Sequence, residues 1–228
     1  MRLYPYLLVL ALILSACGSS TTVTEIAPTS EPTNVPTEIQ STEIAPTQIL
    51  QTEAPAASTE TPAQASDLFT QNNITLPAPA CNGLTPSQTE GPYYTPNTPE
   101  RNSLLEPNMA GTRLLVVGYV LDANCQPLAN AWLDFWQADA NGNYDNAGYI
   151  LRGHQFTDAQ GRYFLETIAP GLYESRPIEH IHVMLRSPLG AEITTQLYFP
   201  QQPIADLTVT LEQRDGYLVA YFNFVLPK

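Results

Sequence analysis

The chain has 228 residues, with 22 Asp and Glu against 9 Lys and Arg, a formal charge of −13 near neutral pH. Its only lysine is Lys228 and no basic stripe runs along it, which argues against recognition of nucleic acid or of anionic membrane surfaces by charge. The expected partner is therefore small or neutral.

Met1 and Arg2 open a weakly positive region, and Leu7 to Leu14 follow as an apolar run of about eight residues, too short to span a hydrocarbon core of about 30 Å. Residues 1–16 read as a signal peptide. Leu14-Ser15-Ala16-Cys17 resembles the bacterial lipobox, whose cysteine is acylated, so Cys17 is the expected lipidation site, with an ordinary secretory signal as the alternative. Either reading predicts export; the first places the protein at the cell membrane, facing away from the cytoplasm and touching lipid only through this anchor. Residues 17–75 then read as a disordered tether. From Gly18 to Ser66 they are rich in Thr, Pro and Glu, lack Lys and Arg, and repeat Thr-Glu-Ile-Ala-Pro-Thr at 24–29 and 42–47.

Residues 76–228 are enough for one domain with its own core. Cys81 and Cys125 form an even pair once Cys17 is set aside, which in an exported domain predicts a disulfide, a free thiol being the alternative. Strand alternation between turns dominates, at Leu114–Leu121, Ala131–Ala138, Arg162–Ile168, His180–Arg186, Thr194–Phe199, Leu207–Glu212 and Tyr217–Val225. About seven short strands predict an all-β fold, an antiparallel β-sandwich.

The stretch from Tyr173 to His182 gathers a phenol, the Arg176 guanidinium and two of the chain's three histidines. In a strand, His180 and His182 point the same way, about 6.5–7 Å apart, and can converge on one ion, while Ile181 faces the core. A half-exposed strand face is the alternative.

Read together, Thr89-Glu-Gly-Pro-Tyr-Tyr94, Trp136-Gln-Ala-Asp-Ala-Asn-Gly-Asn-Tyr144, Arg152-Gly-His-Gln-Phe-Thr-Asp158, Ile168-Ala-Pro-Gly-Leu-Tyr173, His180-Ile-His182 and Thr195-Gln-Leu-Tyr-Phe-Pro200 resemble the intradiol ring-cleavage dioxygenases. The resemblance implies a non-haem ferric ion, Fe(III), held by Tyr144, Tyr173, His180 and His182. It also implies a catechol-type substrate cleaved with O2 to a cis,cis-muconate-type diacid. Tyr173 is then ligand and base together, Arg176 and Gln196 flank the ring and stabilise developing charge, and Tyr94 joins them in binding substrate. Phenolate oxygens suit a hard ferric ion. A homodimer stays open.

Two features depart from the family pattern. One extra residue separates Arg176 from His180, and Glu179 directly precedes the first histidine, which disfavours acidic substrates. The turn and strand order also resembles transthyretin-like and carboxypeptidase-regulatory-like sandwich modules, so a non-catalytic surface binding module is the alternative function.

Overall fold

A computed structural model of the protein describes residues 65–173 and 176–227. The expected signal peptide, Cys17 and most of the expected tether lie outside the described residues. A short helix, α1 (Ala65–Gln71), precedes nine strands: β1 (Arg113–Asp122), β2 (Trp132–Trp136), β3 (Arg152–Phe156), β4 (Arg162–Ile168), β5 (His180–Arg186), β6 (Glu192–Tyr198), β7 (Thr210–Arg214), β8 (Tyr217–Tyr221) and β9 (Phe224–Leu226).

Two sheets form from these strands. One runs β3-β2-β5-β6, antiparallel throughout. The other runs β4-β1-β8-β7 with β9 also on β1; its β1–β8 and β1–β9 pairings are parallel, where the sequence predicts only antiparallel neighbours. Leu114, Val116 and Val120 of β1, Leu133 and Phe135 of β2, and Ile181, Val183 and Leu185 of β5 share one buried cluster between the sheets. Period-2 alternation does this directly, since it sends every second residue of each strand to the same face.

Strand β1 is apolar on both faces, which requires a second cover. Leu115 and Val117 point outward and pack, with Phe164 and Val219, under Phe69 and Ile74. Residues 65–75, expected to belong to the tether, therefore form α1 and the turn after it, packed on this sheet. Phe69 is 5% exposed and meets the Phe164 ring edge-on at 5.5 Å, so burial offsets the cost of ordering this segment.

Three strands depart from expectation. Strand β3 has no apolar alternation in Arg-Gly-His-Gln-Phe and is invisible to a periodicity reading. The predicted strand Tyr217–Val225 breaks at Phe222-Asn223, where the Asn223 side-chain oxygen accepts from the Tyr119 amide in place of a ladder carbonyl. Residues 207–209 pair with Tyr198 of the first sheet before β7 begins in the second. A disulfide joins Cys81 to Cys125, with Cα atoms 5.8 Å apart, fastening the N-terminal segment to the turn after β1.

Phe69→Ala is expected to lower unfolding stability by about 3 kcal/mol, as a buried aromatic truncation does. Denaturant unfolding of a chain beginning at residue 65 checks it. A loss below about 0.5 kcal/mol would mean that α1 does not cover the sheet.

Candidate metal centre

The site grows from the outer face of the β3-β2-β5-β6 sheet. Ile181, Val183 and Leu185 face the core, so His180 and His182 face outward. Register then places Trp136 and Gln196 on either side of His182, Arg152 beyond Trp136, and Tyr198 beside His180. Directly opposed residues share a face, so these six side chains form one patch.

Two loops bring phenols over it. Asp139 accepts from the amides of Asn141 and Asn143, and Asp145 from those of Ala147, Gly148 and Ile150, so Tyr144 sits between two carboxylate-capped turns. The second loop, 169–173, is tied to the first by Gly171 N–H donating to the Asp139 carbonyl at 2.8 Å. Gly142 makes this approach feasible: at φ +84°, a Cβ there would lie 1.9 Å from the Leu172 carbonyl oxygen. Tyr144 and Tyr173 consequently meet edge to face, with ring centres 5.7 Å apart.

A third wall comes from the N-terminal segment. Gln88 N–H donates to the Thr194 carbonyl and Thr195 Oγ1 to that of Pro86, which lays the segment along β6. Gly91 follows at φ +76°, where a Cβ would stand 3.3 Å from His182 Cε1, so the backbone lies against the imidazole. Tyr93 stacks on Tyr144 at 4.3 Å and meets Tyr173 edge-on at 6.1 Å.

His180 Nδ1 lies 2.7 Å from the Ile178 carbonyl, which fixes the proton on that nitrogen and leaves Nε2 as an acceptor. Nε2 of His180 and Nε2 of His182 are 3.1 Å apart. Two nitrogens bound to one ion at about 2.1 Å each, near a right angle, stand about 3.0 Å apart, so the pair has a metal-site separation. Desolvation pushes His180 down to about 4, opposed by its hydrogen bond to the Ile178 carbonyl and helped by Arg176, and desolvation with repulsion from His180, Arg176 and Arg152 pushes His182 to about 2, keeping both neutral. Burial, then the adjacent Tyr173, raises the Tyr144 phenol above its ordinary range, opposed by Arg176 and Arg152. Its hydroxyl is buried and has no hydrogen-bond partner in the protein.

An orphaned phenol beside two neutral imidazoles is the donor chemistry of a hard cation, which would satisfy that oxygen and favour its ionised form. Among the described residues no group of three His, Cys, Asp or Glu is arranged to bind a metal. The donors here must be completed by phenols, so a two-histidine, one-carboxylate site is not built from these residues.

All four expected ligands therefore fall in one cluster. Arg176 and Gln196 are also there, linked through a residue that sequence reasoning missed: Arg176 Nη2 donates to the Tyr198 hydroxyl at 2.6 Å, and Tyr198 donates to Gln196 Oε1 at 2.7 Å. Tyr94, expected to bind substrate, instead donates its hydroxyl to buried Asp134 at 3.1 Å and packs on Trp136 at 4.8 Å. Burial and the Asp134 carboxylate push that phenol up to about 12. Its neighbour Tyr93 is the residue that reaches the rings of Tyr144 and Tyr173. Arg152, 1% exposed, directs its guanidinium to the carbonyls of Asp145 and Tyr93, bracing both loops. His154, not expected to be a ligand, bonds through Nδ1 to the Thr98 carbonyl and lies against Trp132 and Phe156.

Comparison with known proteins places this geometry in context. The family model described as Dioxygenase matches residues 89–225. The protocatechuate 3,4-dioxygenase beta chain of Burkholderia cepacia is 34% identical over 122 residues, 46% of this chain and 52% of that one. Catechol 1,2-dioxygenase 2 of Acinetobacter lwoffii is 28% identical over 164 residues, 60% of this chain and 59% of that one. The chain thus spans only a little over half the length of these two relatives. The dioxygenase domain of a dioxygenase carbohydrate-binding protein fusion from the cellulolytic bacterium Streptomyces sp. SirexAA-E is 43% identical with a TM-score of 0.61, covering 63% of this chain and 98% of that one. For 3-chlorocatechol 1,2-dioxygenase of Rhodococcus opacus 1CP the values are 28%, 0.58, 63% and 72%.

Both histidine values lie below the free value of about 6.5, so beneath that pH the unfolded chain binds protons that the folded chain refuses. Stability of the metal-free protein should fall as pH drops from about 6.5 toward about 4, by up to about 1.4 kcal/mol per pH unit for each imidazole. Denaturant unfolding at pH 7 and pH 5, in chelator, measures the slope. His180→Gln with His182→Gln should flatten it; an unchanged slope would show that the two imidazoles are not its source.

Proposed function

The chain belongs to the intradiol ring-cleavage dioxygenase family, and from that premise we propose that it holds a non-haem ferric ion through Tyr144, Tyr173, His180 and His182 and cleaves catechol-type rings. Both atoms of O2 would enter the ring between the hydroxyl-bearing carbons, giving a cis,cis-muconate-type diacid. The observation that carries this reading is the pair of neutral imidazoles, with Nε2 atoms 3.1 Å apart, beside Tyr144, whose ring lies 6.4 Å from that of His182 and whose buried hydroxyl has no protein partner.

Bound there, ferric iron supplies Lewis acidity that holds phenolate and catecholate oxygens ionised near neutral pH. The protein's own residues do the rest. Tyr173, half-buried, would accept a catechol proton on its phenolate oxygen and become the neutral phenol. Tyr144 stays on the site as the enclosed phenol, kept from water by the Tyr93 ring stacked on it. Arg176 presents a fixed positive charge and Gln196 a buried amide to charge that develops on the substrate, in a place where water is excluded and such groups act strongly. Trp136 lies parallel to the His182 ring at 4.9 Å and fixes its plane.

The extracellular setting of this reading rests on Leu14-Ser15-Ala16-Cys17, with Cys17 as the lipid anchor. The Cys81–Cys125 disulfide supports it, because such bonds persist in oxidising compartments.

Protein purified in air should carry near-stoichiometric iron and a broad visible phenolate-to-iron band, which moves to longer wavelength when catechol is added without oxygen. Tyr144→Phe should remain folded, lose or shift the band, and lose ring cleavage by at least about 100-fold, beyond the 10–100-fold typical of removing an outer partner. A protein that stays colourless after iron reconstitution would instead support the binding-module reading.

A further inference from the structure

Arg176 ends in N–H donors only, and a main-chain carbonyl can only accept. A chain of hydrogen bonds runs between two such fixed ends: Arg176 Nη2 to the Tyr198 hydroxyl at 2.6 Å, Tyr198 to Gln196 Oε1 at 2.7 Å, and Gln196 Nε2 to the Thr89 carbonyl at 2.7 Å. Every donor direction is therefore forced. Neither the hydroxyl proton nor the amide orientation can reverse without placing two donors or two acceptors face to face.

Burial adds to this constraint. Gln196 is 0% exposed and Tyr198 1%, so breaking any link leaves a polar group without water to replace it. Tyr198 is also fixed by β6: it stands opposite His180 in the register, with its ring 6.1 Å from the imidazole and inclined by 30°.

Other described arginines are neutralised or enclosed. Arg101, Arg113, Arg162, Arg186 and Arg214 form ion pairs with carboxylates, and Arg152 is bound by main-chain carbonyls. Among the described residues no carboxylate bridges to Arg176; a neutral phenol orients it. A hydroxyl aims a guanidinium without cancelling its charge, whereas a carboxylate would do both.

We propose that Tyr198 is a positioning residue of this site: its hydroxyl locks the Arg176 guanidinium and the Gln196 amide into one unit, so that a positive charge is held toward the bound substrate. The catalytic part of this inference rests on the dioxygenase reading; the mechanical part does not. Tyr198→Phe keeps the ring beside His180 and removes only the link.

Two measurements test the proposal. In the full-length iron-loaded protein, Arg176 should react with phenylglyoxal at least about 10-fold more slowly than exposed, ion-paired Arg186, read by peptide mass spectrometry, and Tyr198→Phe should remove most of that protection. Steady-state kinetics should show kcat for catechol cleavage reduced about 10–100-fold in Tyr198→Phe, with iron content retained and the melting temperature lowered by only a few degrees for the Gln196 acceptor left unpaired. Because Tyr198 acts mainly through Arg176, the double variant Tyr198→Phe with Arg176→Met should be slower than Arg176→Met alone by far less than the loss Tyr198→Phe causes in the wild type. Equal phenylglyoxal rates for Arg176 and Arg186 in the wild type, an unaltered Arg176 rate in Tyr198→Phe, or kinetic losses that simply multiply would each overturn it. If the iron-loaded wild type cleaves no catechol, the dioxygenase reading fails, and the phenylglyoxal comparison still decides whether Tyr198 holds Arg176.

Discussion

The pairing of β5 between β2 and β6 is the constraint on which the rest depends. In this register His182 has Trp136 on one side and Gln196 on the other, and His180 has Tyr198. A slip of one residue would turn Ile181, Val183 and Leu185 out of the core and the imidazoles into it. Hydrophobic burial and site assembly are thus the same event: the apolar residues that stabilise the sandwich hold two histidines on its opposite face.

The loops above the sheet have a different physical basis. They bury little apolar surface and are held by hydrogen bonds that Asp139, Asp145 and Arg152 make to main-chain groups. Arg152 shows the division of labour. It sits in the same cross-strand row as His182, yet its charge is spent on carbonyls of Asp145 and Tyr93, so it braces the segments carrying Tyr144 and Tyr93. A buried guanidinium is tolerated there because carbonyl oxygens replace its lost hydration.

Legibility in the sequence followed the same divide. Strand β5 and the orientation of its histidines could be read from alternation alone, because Ile181, Val183 and Leu185 mark the core face. Strand β3 could not, since Arg152 and Gln155 are buried for polar reasons that periodicity does not register. The covering role of Phe69 and Ile74 was hidden because α1 spans only seven residues, too few to display a helical period. Two adjacent tyrosines are equivalent as letters, and only the fold shows that Tyr93 stacks on Tyr144 while Tyr94 bonds to Asp134. Tyr198 reads as one more aromatic in an apolar strand until register sets its hydroxyl between Arg176 and Gln196.

The N-terminal segment links these levels into one object. Its early residues close the outer face of β1, Cys81 fastens it to the turn after that strand, and Thr85 pairs with Val225 of β9. It then crosses to the other sheet, bonding Thr194, Thr195 and Gln196 before Gly91 reaches His182. This segment ahead of β1 is therefore also the wall of the site, stitched to both sheets along its length. A covalent fastening at Cys81 suits a segment that crosses between sheets as single chain and must still place Thr89, Gly91 and Tyr93 against side chains of another element: shortening the free span restricts the positions its far end can take.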